Sequence, residues 1–525
     1  MPLNRHLRRG LRAALCVALF AGIAAAQEAR EAKPRADVSR FGARVEAALG
    51  EARAAGKGFW GVLVVDADTG ETLYALNAQR YFAPASSAKL FTTALAMATL
   101  GPSYRFRTTI ETRGAVDASG RLRGDLVLVG RGDPNLSNRR FPFNKQIERD
   151  GPPEKVLAEL ADAVVARGVR QIEGDIIADD SYFASERFPS GWTIDDMMWS
   201  YGAAVSALAV QDNTISLTIG PGEREGDPAH IEVAPWAGDY RFQNEVRTGA
   251  AGSDWKPEVA RAPGSRLFAL RGTIPLRAEP RTLSVAVEEP AEHAAQLLLR
   301  LLEARGVRVY GEARARHLSR GESSDVRDTR SGGPAVLAEH ISVPLAEALR
   351  LTNKISQNLH TELLLRVAAR EKTGATTTEA ALQFAQDFFK SIGIAEGDVV
   401  LFDGSGLSRR NLVTPQAEVK LLQYVAQQPW AAAFRFTLPV AGEDGTLAER
   451  MKNTAAARRI QAKTGTLEHA NALAGYAATV RGEKLIFAIL GNNHNLRGDA
   501  TTVVDAVCVA MVEELGAPPP EKKKP

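Results

Sequence analysis

A serine hydroxyl becomes a nucleophile only when a neighbouring base takes its proton. The stretch APASSAKLFTT, residues 83–93, sets two serines just before a lysine at the start of a helical pattern. Ser86 and Lys89 are three residues apart, a spacing that puts both on one helical face. Ser87 is out of phase with that face, and its own third neighbour is Leu90. If one serine reacts, it is Ser86, with Lys89 as its base. The spacing alone says little, because Ser253 and Lys256 repeat it in GSDWKP, an expected loop ahead of Pro257. Taken by itself, the stretch reads first as a serine-capped helix with a solvated lysine.

To act as a base Lys89 must be neutral near pH 7, whereas a free lysine titrates at about 10.4. Burial or a second cation lowers that value. A candidate cation is Lys463, in QAKTGTLEHANALAGY, where Lys463, Thr464, Gly465 and Thr466 fall on an expected strand whose backbone can lie beside a substrate. A second Lys-Thr-Gly at residues 372–374 follows LLLRVAARE and reads as a helix end closed by Gly374. The third element is Ser356 and Asn358 in LTNKISQNLHTELLL. Residues two apart share no helical face, so both reach one cleft only from a turn between helices. Each element alone is a plain capping serine, turn asparagine or surface lysine. In this order, the set points to an active-site-serine enzyme acting on β-lactam-like acyl groups. There is no G-x-S-x-G elbow for Ser-His-Asp chemistry, and the eight histidines lack H-E-x-x-H spacing. No cofactor and no metal is expected.

The elements that must position these residues come from both ends of the chain. GFWGVLVVDADTGETLYALNAQRYF has two alternating runs around DADTG, as in a hairpin, and the Ser86 helix follows to about Leu100. Short strands, turns and charged loops then run to about His317. Within them AELADAVVARGVRQIEGDI and AAQLLLRLLEARGVRVYGEA each read as helix, capping glycine (Gly168, Gly306) and strand. Between these, NTISLTIGPG, HIEVAPW, NEVRTG and SRLFALRGTIPL suggest a small β unit. Long helical patterns return, then the strand pair RRIQAKTGT and ALAGYAATVRGEKLIFAILGN, and a last helix to about Leu515. The expected class is α/β (α+β). Residues 37–100 and 336–515 form a catalytic domain, interrupted by an α/β domain at 101–215 and 280–335, with a nested small β domain at 216–279.

With 525 residues and 45% apolar content the chain can bury several cores. Residues 1–26 carry Arg5, Arg8, Arg9 and Arg12, then AALCVALFAGIAAA, with Ala24 and Ala26 spaced as a cleavage site: a secretory signal, too short in its apolar run for a membrane span. Without it Lys plus Arg falls from 65 to 61 against 62 Asp plus Glu, a net charge of −1, so nothing in the balance favours nucleic acid. Only Cys508 would remain, which excludes an intramolecular disulfide in the oxidising compartment that export implies. The terminal APPPEKKKP, with residues 516–525, reads as a disordered tail.

On these motifs the chain resembles the penicillin-binding proteins, and within them the class C low-molecular-mass D-alanyl-D-alanine carboxypeptidase/endopeptidase family. LVGRGDPNLS, DGSGLSRRNLVTP and LPVAGEDGTLAERM add to the likeness, as does the long insert. SQN stands where the family often has SDN, and His360 where it usually has another residue. The resemblance implies an antiparallel sheet with helices on both sides and an acyl-enzyme on Ser86, formed with the penultimate D-alanine of a peptidoglycan stem peptide. Lys89 would be the base, Ser356 the relay to the leaving amine, and Asn358 a holder of Lys89 and of the substrate amide. Lys463, Thr464 and Thr466, with Gly465 between them, would take the terminal carboxylate, Lys463 also keeping Lys89 neutral. Backbone N–H groups of Ser86 and Thr466 would form the oxyanion hole. Part of the insert, GWTIDDMMWSYGA, would read the diaminopimelate side chain through Trp192, Asp195, Asp196, Met198 or Tyr201, or else be an ordinary surface loop; Asp403 and Gly404 would shape a turn. The family implies peptidoglycan stem peptides as substrate, β-lactams as inhibitors and a periplasmic or envelope location, and leaves oligomeric state open, a dimer included. A β-lactamase and an inert wall-binding protein on the same scaffold remain as alternatives.

Overall fold

The computed structural model describes residues 35–51, 57–144, 147–149, 151–234, 236–321, 333–495 and 499–516. The expected secretory signal, residues 1–26, and all of the expected tail but Gly516 lie outside the described residues. Helix α1 (Ala36–Glu51) leads to strands β1 (Phe59–Asp66) and β2 (Thr72–Leu76), the hairpin read from the sequence. Its turn forms because the Asp66 carboxylate accepts from the N–H groups of Asp68 and Thr69, as acidic turn residues do. A 3-10 turn over Ala85–Ala88 runs directly into α2 (Lys89–Leu100).

The chain then passes through β3 (Arg107–Thr112), β4 (Leu126–Val129), α3 (Lys155–Ala166) and β5 (Ile176–Ala184). Next come β6 (Thr214–Gly220), β7 (His230–Ala234), β8 (Arg241–Gly249), β9 (Lys256–Ala260), β10 (Leu267–Pro275) and β11 (Arg281–Ala286). After α4 (Pro290–Glu303), β12 (Ala313–Leu318) and β13 (Ala335–Ile341), it returns with α5 (Leu345–Ile355), α6 (Asn358–Thr373), α7 (Thr378–Ser391), α8 (Pro415–Ala426) and α9 (Ala431–Thr437). Strands β14 (Ile460–Leu467), β15 (Ala470–Ala478) and β16 (Lys484–Asn492) and helix α10 (Asp499–Glu514) close the fold.

The sheet that carries the site has the order β2-β1-β16-β15-β14 and is antiparallel throughout. Its strands are apolar on both faces. Leu485, Phe487 and Ile489 join Val62 and Val64 in a core shared with α1 and α10. Ile486, Ala488 and Leu490 join Leu63 and Val65 in a second core with α2, α6 and α8. That is why helices cover both sides. β14 is an edge strand, its outer side bonded at its start to residues 439–441.

In the insert, the two similar helix-strand units lie side by side: Gly168 and Gly306 each close a helix at φ of 89° and 82°, and β5 and β12 pair in parallel. They share one core with Ile110, Leu128 and Ala178. The small β unit is two sheets, β7-β6-β11 and β8-β10-β9, packed around Ile215, Leu217, Phe268 and Leu270. The expected boundaries shift. β11 pairs with β6, Thr214 opposite Ala286, so this unit runs past residue 279. β13 pairs with β3, so the chain leaves the insert after Ile341 and not at residue 336. Both partners are distant in sequence, and a six- or seven-residue strand carries no local sign of which sheet will take it. GSDWKP is not all loop either: Lys256 opens β9, an edge strand, where the N–H that Pro257 lacks is not missed.

Candidate active site

Ser86 sits in the 3-10 turn before α2. Ala85 takes a left-handed φ of 50° to make that turn. A Cβ at Gly406 would overlap the Ala85 carbonyl oxygen, so only glycine lets the two loops meet. The Lys89 amine lies 2.8 Å from Ser86 Oγ, 2.5 Å from Asn358 Oδ1 and 2.6 Å from the Ser405 carbonyl oxygen. Two of these neighbours can only accept. A neutral amine has two N–H bonds, which Asn358 and Ser405 take up, and its lone pair is then left facing the Ser86 hydroxyl. Lys89 is fully buried. Burial pushes its pKa down, against the raising fields of Asp403 and Glu362, to about 7.

Ser87 has a different fate. Its hydroxyl is bonded to the Pro84 carbonyl at 2.9 Å and to the Glu418 carboxyl. One hydroxyl proton cannot serve both acceptors at once, and burial raises Glu418 to about 7, which favours the protonated carboxyl that can supply the second hydrogen. Ser87 is buried and committed to packing.

Ser356 ends α5 in a left-handed conformation, φ 62°, and Asn358 opens α6 after Gln357, whose side chain accepts from Leu359 N–H at 3.0 Å. The kink between the helices is what lets residues two apart enter one cleft. Asn358 spans the site, its Nδ2 donating to the Tyr201 carbonyl at 2.7 Å. The Lys463 amine reaches Ser356 Oγ at 2.9 Å and the Thr464 carbonyl at 2.8 Å. Its pKa lies well below the usual lysine value, through burial and then the charge of Lys89. Burial is the leading cause of the lowering at both amines, and repulsion between two neighbouring amines acts in the same direction.

On β14, the Ala462 N–H leaves the sheet to bond the Pro439 carbonyl. By the alternation of an antiparallel ladder, the N–H and C=O of Thr464 and Thr466 face the same outer edge. Gly465 between them is buried: a Cβ there would overlap the Pro84 carbonyl and come 3.0 Å from the Ser87 nitrogen. Its role is to let the strand pass flush against the Ser86 turn. Gly465→Ala is expected to push β14 outward and slow acylation by a labelled penicillin about 10²-fold, with circular dichroism showing the fold retained.

The profile of the D-Ala-D-Ala carboxypeptidase 3 (S13) family matches residues 42–513. This chain belongs to that family. It is 37% identical over 473 residues to a D-alanyl-D-alanine carboxypeptidase of Actinomadura sp. strain R39, across 88% of this chain and 82% of that one. To the D-alanyl-D-alanine carboxypeptidase DacB of Haemophilus influenzae it is 27% identical, across 80% and 82%. The fold is that of the crystal structure of penicillin binding protein 4 (dacB) from the same organism, with a TM-score of 0.75 at 24% identity, over 88% of this chain and 97% of that one. The likeness read from the motifs named the same family.

Seen as an S13 carboxypeptidase, the chain has site features that the motifs did not announce. The turn Asp403–Gly406 gives Lys89 its carbonyl acceptor. Asp403 is buried and accepts from Trp192 Nε1 at 2.8 Å, Asn411 Nδ2 at 2.6 Å and the Gly406 N–H at 2.9 Å. Glu362, one turn along α6 from Asn358, accepts from the N–H groups of Gly404 and Ser405 at 2.9 and 2.8 Å. The expected turn is there, and its Ser405 carbonyl accepts from the Lys89 amine. DGSGLSRRN was a visible signal; that its carbonyl would face Lys89 was not.

The insert residues divide. Trp192 is buried, with its ring in the core and its N–H on Asp403, so it braces the turn and offers a ligand no face. Asp196 is buried as well. Its carboxylate takes Thr193 N–H, Thr193 Oγ and Arg409, and although burial works the other way, these partners hold its pKa low. Met198 packs against the small β unit. Burial turns Trp192 and Asp196 inward, which a loop sequence does not display, and Met198 is partly buried. Asp195 is exposed, and Tyr201 is 46% exposed with its carbonyl on Asn358; they remain open to a substrate. His360, unexplained by the motifs, is fully buried and lies 3.3 Å from Asp212 of the insert, which Arg139 and Arg149 also hold. It ties α6 to the insert.

Proposed function

We propose that the chain is an exported D-Ala-D-Ala carboxypeptidase that trims peptidoglycan stem peptides through an acyl-enzyme on Ser86. The observation that carries this is the Lys89 amine, buried, titrating at about 7 and directed at Ser86 Oγ by two obligate acceptors. An extended peptide lies along the outer edge of β14, with its terminal carboxylate at Lys463, Thr464 and Thr466. Lys89 takes the Ser86 proton as Oγ attacks the penultimate D-alanine carbonyl. The N–H groups of Ser86 and Thr466 hold the oxyanion, which is usually the largest contribution to acyl transfer. The C–N bond breaks as the proton passes to the leaving amine through Ser356, releasing D-alanine. Water then attacks the ester with Lys89 again as base, and Ser86 is regenerated.

The same acyl chemistry traps a β-lactam: the ring C–N bond breaks, but the expelled amine stays tethered to the Ser86 ester and keeps the place that departing D-alanine would vacate for water. Cross-linked stems, which end in a D-centre bearing a carboxylate, fit the same edge, so DD-endopeptidase action belongs to the proposal. Asp195 and Tyr201, exposed in the insert, are the candidates for meeting the diaminopimelate side chain. The family membership, the arginine-led apolar leader and the intact motifs support the export and the wall substrate. The test is purified protein with a pentapeptide ending in D-Ala-D-Ala and, separately, with a penicillin. D-alanine release with a long-lived penicillin adduct is expected; fast penicillin turnover without D-alanine release would mark a β-lactamase instead.

A further inference from the structure

The strand that carries Lys463 and Thr464 touches two other walls of the site, one through each residue. Lys463 meets Ser356 at the end of α5, at 2.9 Å. Thr464 Oγ lies 2.8 Å from Thr446 Oγ, on a 3-10 turn over Gly445–Leu447. Two residues before each of these contacts, the walls are joined directly: Lys354 Nζ bonds both carboxylate oxygens of Asp444, at 2.7 and 2.6 Å. The three contacts close a ring at this end of the cleft.

The ring is built tightly. Lys354 is 3% exposed at its side chain. Asp444 Oδ1 also accepts from the Val440 N–H at 2.9 Å. Gly445 has a φ of 57°, and a Cβ there would lie 2.6 Å from the Lys354 carbonyl. Leu447 is fully buried beneath the turn. Thr446 itself is exposed and Thr464 is buried, so the hydroxyl pair they share is part-buried, running from the surface into the strand. Two hydroxyls that share one hydrogen bond have one O–H left over, and the sharing polarises it toward an anion.

We propose that Thr446 is a further hydroxyl of the leaving-group carboxylate subsite, and that the Lys354–Asp444 pair is the brace that sets it and Ser356 at a fixed spacing. This rests on the placing of the carboxylate at Lys463 and Thr464 given above. Thr446 touches substrate; Lys354 and Asp444 are positioning residues that act through Ser356 and Thr446.

The experiment compares a peptide ending in D-Ala-D-Ala with its C-terminal carboxamide, each followed as substrate and as competitor. Thr446→Val, an isosteric change at an exposed position, is expected to raise KM for the carboxylate peptide about tenfold, with kcat changed by less than about twofold and carboxamide binding unchanged. Thr446→Ser restores the wild-type KM. Asp444→Asn raises KM similarly and also lowers kcat, because Ser356 loses its brace, and Thr446→Val adds little in that background. An unchanged KM in Thr446→Val, an equal loss on both peptides, or full additivity with Asp444→Asn overturns the proposal. If instead the wild-type enzyme releases no D-alanine, it is the underlying reading of the site that falls.

Discussion

Ser86→Ala is expected to form no adduct with penicillin and to lower D-alanine release by at least about 10⁴-fold, in the range found when a serine nucleophile is removed. Ser87→Ala, one residue away, is expected to keep the adduct and most of the turnover. The two hydroxyls differ in what they face. Ser86 Oγ meets the Lys89 amine, whereas Ser87 Oγ is occupied by the Pro84 carbonyl and Glu418. The Ser87 change should instead lower stability by about 1–3 kcal/mol, because it strips a buried carboxyl of its partner. Thermal melts and penicillin labelling of the two variants separate these effects. A Ser87→Ala enzyme that loses labelling while Ser86→Ala keeps it would reverse the assignment.

The second large effect belongs to Lys89. Lys89→Met fills the same space without a base, and loss of general-base catalysis is worth about 10²–10⁴-fold. The pH profile tells a lost base from a distorted site. Only the neutral amine can take the Ser86 proton, and Lys89 titrates at about 7. In the wild type kcat/KM should therefore rise about tenfold per pH unit below 7 and level off above it. The residual activity of Lys89→Met should lack that limb. A variant that kept the limb would show that another group sets it.

How much of this could be read from the chain alone depends on whether the signal was local. Ser86 and Lys89 are one turn apart, so helical geometry paired them correctly. The Ser356-x-Asn358 spacing required a break between helices, and the left-handed Ser356 provides it. Gly374 closes α6 at a φ of 77°, which dismissed the second Lys-Thr-Gly as a cap. What stayed hidden depends on distant chain segments. Burial turned Trp192 and Asp196 inward, and Arg409, more than 200 residues on, claimed the Asp196 carboxylate. The Ser405 carbonyl and the Thr446 hydroxyl join the site only because glycines at 406 and 445 allow backbones to meet. β11 and β13 were misassigned for the same reason, since their partners β6 and β3 lie far upstream.

The site also carries a stability penalty. Lys89 and Lys463 are both fully buried and both titrate below the free amine. For Lys89 the folded value lies below the unfolded one, so the folded state gives up a proton that the unfolded chain keeps between about pH 7 and about pH 10.5. This contribution is most unfavourable below pH 7 and fades as pH rises toward the unfolded value. Such opposition between stability and function is common where a buried amine must serve as a base.

The most direct test of the account is to incubate the wild-type protein with a penicillin, measure the intact mass, and map the modified peptide. A single adduct on the peptide containing Ser86, with fragmentation placing it on that residue and not on Ser87, is the result predicted. An adduct on Ser87 or on any serine outside this turn, or no adduct in a protein that still releases D-alanine, would contradict it.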